Sequence, residues 1–192
     1  HYALDRRPVL AAAEFDPAAD HALIKIMGLE TMDEVLAHIE AVKRGEFKLA
    51  GAAMTLSDLD PMQAPIGVEP GSSVGCWETL APYDNVAGDW DDLAPAYDKQ
   101  IFDLWTEYAP NLADATVIRS YVNHPRFVEA KLPTMVRGSI KHGAYPPTQM
   151  LSNRPNADCS AYRTPIENLY MAGASVWPGG MESACTQKML AA

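Results

Sequence analysis

Near its C-terminus the chain reads Asn168-Leu-Tyr-Met-Ala-Gly-Ala-Ser-Val-Trp-Pro-Gly-Gly180, followed by Met181-Glu-Ser-Ala-Cys-Thr-Gln-Lys-Met-Leu190. No other stretch restricts the fold as much. Its pattern is a short buried strand, a Gly/Pro-rich turn and the start of a helix. Glycines at a strand-to-helix turn let a flat or anionic ligand approach bare backbone. The helix that follows presents unpaired N–H groups and a partial positive charge. Two readings of the local pattern stand side by side. The turn holds one edge of a flavin, or it is an ordinary βα connection in which Gly179 and Gly180 only relieve a tight bend.

The rest of the chain supplies regular elements up to about residue 132. Thr31-Met-Asp-Glu34 is a capping box, with Thr31 as N-cap and Glu34 three residues on. Met32, Val35, Leu36, Ile39 and Val42 follow at helical spacing and predict the buried stripe. Lys43, Arg44 and Gly45 suit the helix end. His38 lies beside that stripe as a surface or half-buried residue. Leu23–Met27, Phe47–Ser57 and Ser72–Leu80 read as strands, the last two as antiparallel neighbours. Gly88-Asp-Trp-Asp-Asp92 opens the longest helix, with acidic residues in the first turn and Pro95 where proline is tolerated. Leu93, Tyr97, Ile101, Leu104, Trp105 and Tyr108 form its stripe, and Pro110 ends it. Ala115–Val122 is a strand, and a short helix runs from Pro125 to about Lys131. From Pro133 periodicity fades, and Gly, Pro, Ser and Asn mark a loop-rich tract of the kind that is often functional. The domain expectation is therefore 1–132 and 133–192.

With 192 residues and 48% apolar content, the chain can bury one sizeable core, or one domain and part of another. A net charge of −10 argues against a nucleic-acid groove, which needs clustered Lys and Arg. No run of about 18 apolar residues marks a membrane span. Cys76, Cys159 and Cys185 are far apart and odd in number, which fits a reducing compartment and a cytoplasmic location. The histidines lack metal-ligand spacing, so no metal is expected. The chain begins His1-Tyr-Ala-Leu and stops inside its last expected helix, so both ends read as cut. Ser175 and Ser183 lack a G-x-S-x-G frame, and neither a P-loop nor a G-x-G-x-x-G occurs. Taken alone, the residues give no catalytic set.

The run Tyr162-Arg-Thr-Pro-Ile-Glu-Asn-Leu-Tyr-Met-Ala-Gly-Ala-Ser-Val-Trp-Pro-Gly-Gly180 resembles the C-terminal pattern of phytoene-desaturase-like FAD-dependent oxidoreductases. That family belongs to the amine-oxidase and glutathione-reductase-like structural superfamily. Gly88-Asp-Trp with Glu107-Tyr-Ala-Pro-Asn111 resembles its G-x-W and E-x-x-A-P-N, and Arg154-Pro155 resembles its R-P. Leu4-Asp5 is similar to an earlier strand end. Where the family mostly has a third small residue, this chain has Met181-Glu182.

The resemblance implies an α/β architecture: an α+β substrate domain plus the closing strand and helix of a Rossmann-like FAD domain. That architecture is incomplete without a partner chain or N-terminal segment carrying the G-x-G-x-x-G half, which binds the ADP part of FAD. It implies flavin contact by Gly173, Ala174, Trp177, Pro178, Gly179, Gly180 and Met181. Met54, Trp77, Trp177 and Glu182 are the candidates for a substrate pocket, with core packing as the alternative for the Trp and Met side chains. The expected activity is hydride transfer from an apolar or aromatic organic substrate to flavin, in desaturation or C–N/C–O oxidation. The chain would be a subunit or the C-terminal half of a hetero-oligomer. A non-catalytic scaffold or regulatory subunit with a degenerate flavin fold is the alternative.

Overall fold

A computed structural model describes residues 1–65, 70–160 and 162–179. The chain divides into two compact units, His1–His124 and Pro125–Ala192. The first is an α+β unit with helices α1 Met32–Lys43, α2 Leu56–Leu59 and α3 Trp90–Tyr108 and an antiparallel sheet of five strands: β1 Tyr2–Leu4, β2 Lys25–Met27, β3 Gly51–Thr55, β4 Ser73–Glu78 and β5 Val117–Ser120. Their spatial order is β2-β3-β4-β1-β5. The mixed α/β class expected from the sequence is present, and the β3–β4 pairing is antiparallel as expected.

The register decides which side chains share a face. Ala53 faces Trp77 and Thr55 faces Gly75, while Met54 faces Cys76. Side chains alternate along a strand, so Trp77 and Met54 project from opposite faces. Helix α3, Trp90–Tyr108, covers the Trp77 face. Trp105 is fully buried there and meets Tyr2 edge-on at 5.8 Å and Trp77 at 6.2 Å. Gly75 makes the space: a Cβ at that position would overlap the Trp105 indole. Tyr2, Leu4, Met27, Ala53, Trp105, Ala109 and Leu112 complete a contiguous core. The other face carries Ala52, Met54 and Val74, all half-buried, with Ile26 exposed at the β2 edge.

Helix α1, Met32–Lys43, starts on the expected capping box, with Glu34 N–H donating to Thr31 Oγ1 and Thr31 N–H donating to the Glu34 carboxylate. Its buried face differs from the expected stripe. His38 and Ala41 are buried, whereas Met32 is 71% and Leu36 54% exposed. Small Ala41 lets the helix approach the unit closely, and His38 follows it inside, one turn away on the same face. The α3 start matches the sequence, with the Asp89 side chain accepting from Asp91 N–H.

The second unit begins with α4, Pro125–Lys131, and continues in short 3₁₀ turns to residue 160. The buried strand expected over 168–172 is a correction. Only one isolated bridge forms there, Arg163 with Tyr170, and Leu169 and Tyr170 are 47% and 45% exposed. A two-sided buried strand needs hydrogen-bonding neighbours on both edges, and the described residues of this unit supply one bridge. The helix expected after Gly180 lies outside the described residues.

Candidate functional site

The Tyr162–Gly179 segment is shaped first by a tight return. Thr164 N–H donates to Leu169 O at 3.1 Å, and Met171 N–H donates to Tyr162 O at 2.8 Å. Thr164 Oγ1 also takes the Ile166 N–H at 3.1 Å, closing the Pro165-Ile-Glu bend. After this return come the residues expected to meet a flavin. Gly173 has φ +114°, and a Cβ added there would meet no described atom within 4 Å. Its backbone is thus uncovered by the described residues. Ala174 and Val176 point inward and are buried. Trp177 is 39% exposed and packs edge-on against Tyr162 at 5.9 Å. Pro178 O accepts from Leu151 N–H at 3.0 Å. Gly179 has φ +105°, a conformation that excludes most side chains.

Beneath this turn lies Arg154, only 3% exposed. Its guanidinium reaches five backbone carbonyls: Ala174 O at 2.9 Å from Nε, Gln149 O at 3.2 Å and Ala144 O at 3.5 Å from Nη1, Lys141 O at 2.9 Å and His142 O at 3.1 Å from Nη2. The Tyr145 ring lies 5.0 Å from it. Arg154 Cδ is 3.1 Å from the position a Gly179 Cβ would take. No carboxylate pairs with Arg154 among the described residues. One buried side chain therefore ties the loop tract 141–149 to the 174–179 turn, and brings a positive charge to it.

His142 Nδ1 lies 2.8 Å from Ser175 Oγ. The two line a cavity of about 580 Å³ together with Thr134, Val136 and Gly143. His142 has φ +55°, an uncommon backbone state for a side-chain-bearing residue. Its carbonyl is one of those held by Arg154.

Of the sequence candidates, Gly173, Ala174, Trp177, Pro178 and Gly179 lie on one continuous turn. Ala174 takes part through its carbonyl, since its side chain is buried. Gly180, Met181 and Glu182 lie outside the described residues. Met54 and Trp77 are not brought together: Trp77 sits over Gly51 and against Trp105 in the core, and Met54 is on the opposite face. Sequence reasoning missed His142 and the pairing of Ser175. They are far apart in the chain, and their segments meet through contacts that no local pattern signals, the Arg154 clasp among them. The Arg-Pro pair at 154–155 was the one visible signal.

A flavin fits the turn on two observations. The Gly173 backbone is uncovered by any described residue, and on the same turn Trp177 is half-exposed. Arg154 adds a buried cation that suits a ligand whose reduced form is anionic.

The chain is 42% identical over 182 residues, 94% of its length, to a limonene dehydrogenase subunit from Castellaniella defragrans, covering 33% of that protein. It is 32% identical over 126 residues, 65% of its length, to the pyridine nucleotide-disulfide oxidoreductase domain-containing protein 2 of Rattus norvegicus, covering 21% of it. The Mus musculus protein of the same name matches at 30% over 126 residues. No protein-family model matches the chain. The chain is thus similar to a segment of larger oxidoreductases and spans a third or less of the relatives it matches. One of those relatives is itself one subunit of its enzyme. Among the described residues no helix is long and apolar enough to cross a membrane.

Proposed function

We propose that this chain is the C-terminal portion, or a subunit, of an FAD-dependent oxidoreductase that removes hydride from an apolar organic substrate, as in the phytoene-desaturase-like enzymes. The observation that carries this reading is the 42% identity over 94% of the chain to a limonene dehydrogenase subunit, with Gly173 uncovered by the described residues and Trp177 half-exposed on the turn. Gly173 and Gly179 would hold the flavin through backbone, and Trp177 would flank it. Arg154 would fix the turn and set a positive charge behind it. When bound, the flavin supplies two-electron acceptance. The ADP half would come from a second polypeptide or an N-terminal segment bearing the G-x-G-x-x-G turn. Limonene is the first substrate to test.

The test is the complex as purified with its partner. It should carry flavin, and limonene added without oxygen should bleach the flavin bands. Gly173→Val, which puts a side chain on the uncovered backbone of the turn, should lower flavin content several-fold while the thermal transition of the complex persists. A flavin-free complex sinks the cofactor assignment and leaves the scaffold reading. Full flavin retention in Gly173→Val sinks the role of the turn.

A further inference from the structure

We propose that His142 is the proton acceptor of this site and that Ser175 is the positioning residue that orients it. This rests on the oxidoreductase reading above. Two-electron oxidation of a C–H substrate releases a proton besides the hydride. In a desaturation, one C–H bond gives its hydrogen and electron pair to an oxidised flavin, the neighbouring C–H bond gives up a proton, and a C=C bond forms between the two carbons. The cavity beside Ser175 would hold the substrate, and the protein would take up that proton there. Among the described side chains lining the cavity of about 580 Å³, His142 is the imidazole, the side-chain type that most often takes up a proton in catalysis.

Three features of the geometry favour this role. Nδ1 is engaged by Ser175 Oγ at 2.8 Å, and Nε2 hydrogen-bonds to no described residue. With Nδ1–H donating to Ser175, the lone pair sits on Nε2. Ser175 belongs to the same turn as Gly173 and Trp177, so the base is tied directly to the segment expected to hold the flavin. The third feature is backbone strain. His142 adopts φ +55° and is kept there by Arg154, which bonds the carbonyls of both Lys141 and His142. Such conformations persist where the surroundings over-determine them, often at functional sites. Among the described residues, Arg154 brings its charge to the His142 backbone carbonyl, and the Lys141 ammonium lies over the Tyr145 ring. The pair is unlike a hydrolytic Ser–His couple: Nδ1 rather than Nε2 faces the hydroxyl, and no carboxylate backs the ring among the described residues.

The flavin-loaded complex tests this in two ways. In the first, anaerobic bleaching of the flavin by limonene is followed against pH. His142→Gln should keep its flavin content and its reduction by dithionite, lose about 10²–10⁴-fold in bleaching rate, and lose the fall in rate at acid pH. Ser175→Ala should keep that acid fall but move its midpoint, with a rate loss under about tenfold. Unchanged rate and acid fall in His142→Gln overturn the proposal. The second test needs no turnover. Carbethoxylation of His142 in the wild-type complex is measured by peptide mass spectrometry. Nε2 should react, and limonene should slow the reaction several-fold. A His142 that does not react, or reacts equally with and without limonene, overturns the proposal whatever the fate of the variants. A complex lacking flavin refutes the cofactor reading instead, a result distinct from either outcome for His142.

Discussion

Arg154 is the residue on which the second unit depends. A guanidinium has five N–H donors in a rigid planar fork, and here all are spent on carbonyls of residues 141, 142, 144, 149 and 174. Lysine keeps the charge but has three donors and no fork. Methionine keeps only the volume. Arg154→Met should therefore lower the stability of the complex by about 1–3 kcal/mol, because it leaves the carbonyl of buried Ala174 without its donor. Arg154→Lys should fall between. Differential scanning calorimetry of the two variants checks the order, and equal melting of Met and wild type would remove Arg154 from this role. The Arg-Pro dipeptide was visible in the sequence, but its function was not. A sequence shows that an arginine is present, whereas its burial depends on five separate backbone oxygens converging from loops with no periodicity.

At the scale of the element, α1 shows where local and tertiary rules part. Its capping box was legible because Thr31 and Glu34 act within one turn. Its buried face was legible only in part, since Val35, Ile39 and Val42 are half-buried while Met32 and Leu36 are exposed and His38 is buried. Burial, with Lys48 adding to it, pushes the His38 imidazole below its ordinary value. The folded form then favours neutral His38, and the unfolded chain takes up the proton first as pH falls. Stability should therefore be full above an unfolded histidine value of about 6.5 and decline as pH drops below it, levelling off under the lowered folded value. Thermal melting between pH 7.5 and 5.5 checks this, and His38→Leu should flatten the slope in that window. An unchanged slope in the variant would assign the effect elsewhere. The expected strand at 168–172 failed for a related reason. Its apolar run was read correctly, but a strand also needs edges to pair with.

At the scale of the whole molecule, the sheet of the first unit is covered by α3 on the Trp77 face, while the Met54 face carries buried Cys76, half-buried Ala52, Met54 and Val74, and an exposed Ile26. On the turn in the second unit, Gly173 is uncovered by the described residues and Trp177 is half-exposed. Both fit a chain that corresponds to a third of a longer relative. The expected outcome is that this chain alone purifies without flavin, and that co-expression with a polypeptide carrying a G-x-G-x-x-G half gives a stable flavin-containing complex. Absorbance and size-exclusion chromatography read both. A chain that binds flavin stoichiometrically alone would overturn the need for the second half.

Taken by itself, the sequence determined the capping box of α1, the start and stop of α3, the antiparallel β3–β4 pair and the glycine turn at 173–179. Each rests on interactions within a few residues or on a period set by one element. Only the tertiary structure decided that Met54 and Trp77 stand on opposite faces, because a strand's register sets the face of every side chain. Only it decided that Arg154 is buried and that His142 meets Ser175, because these contacts join loops distant along the chain and no local rule couples them.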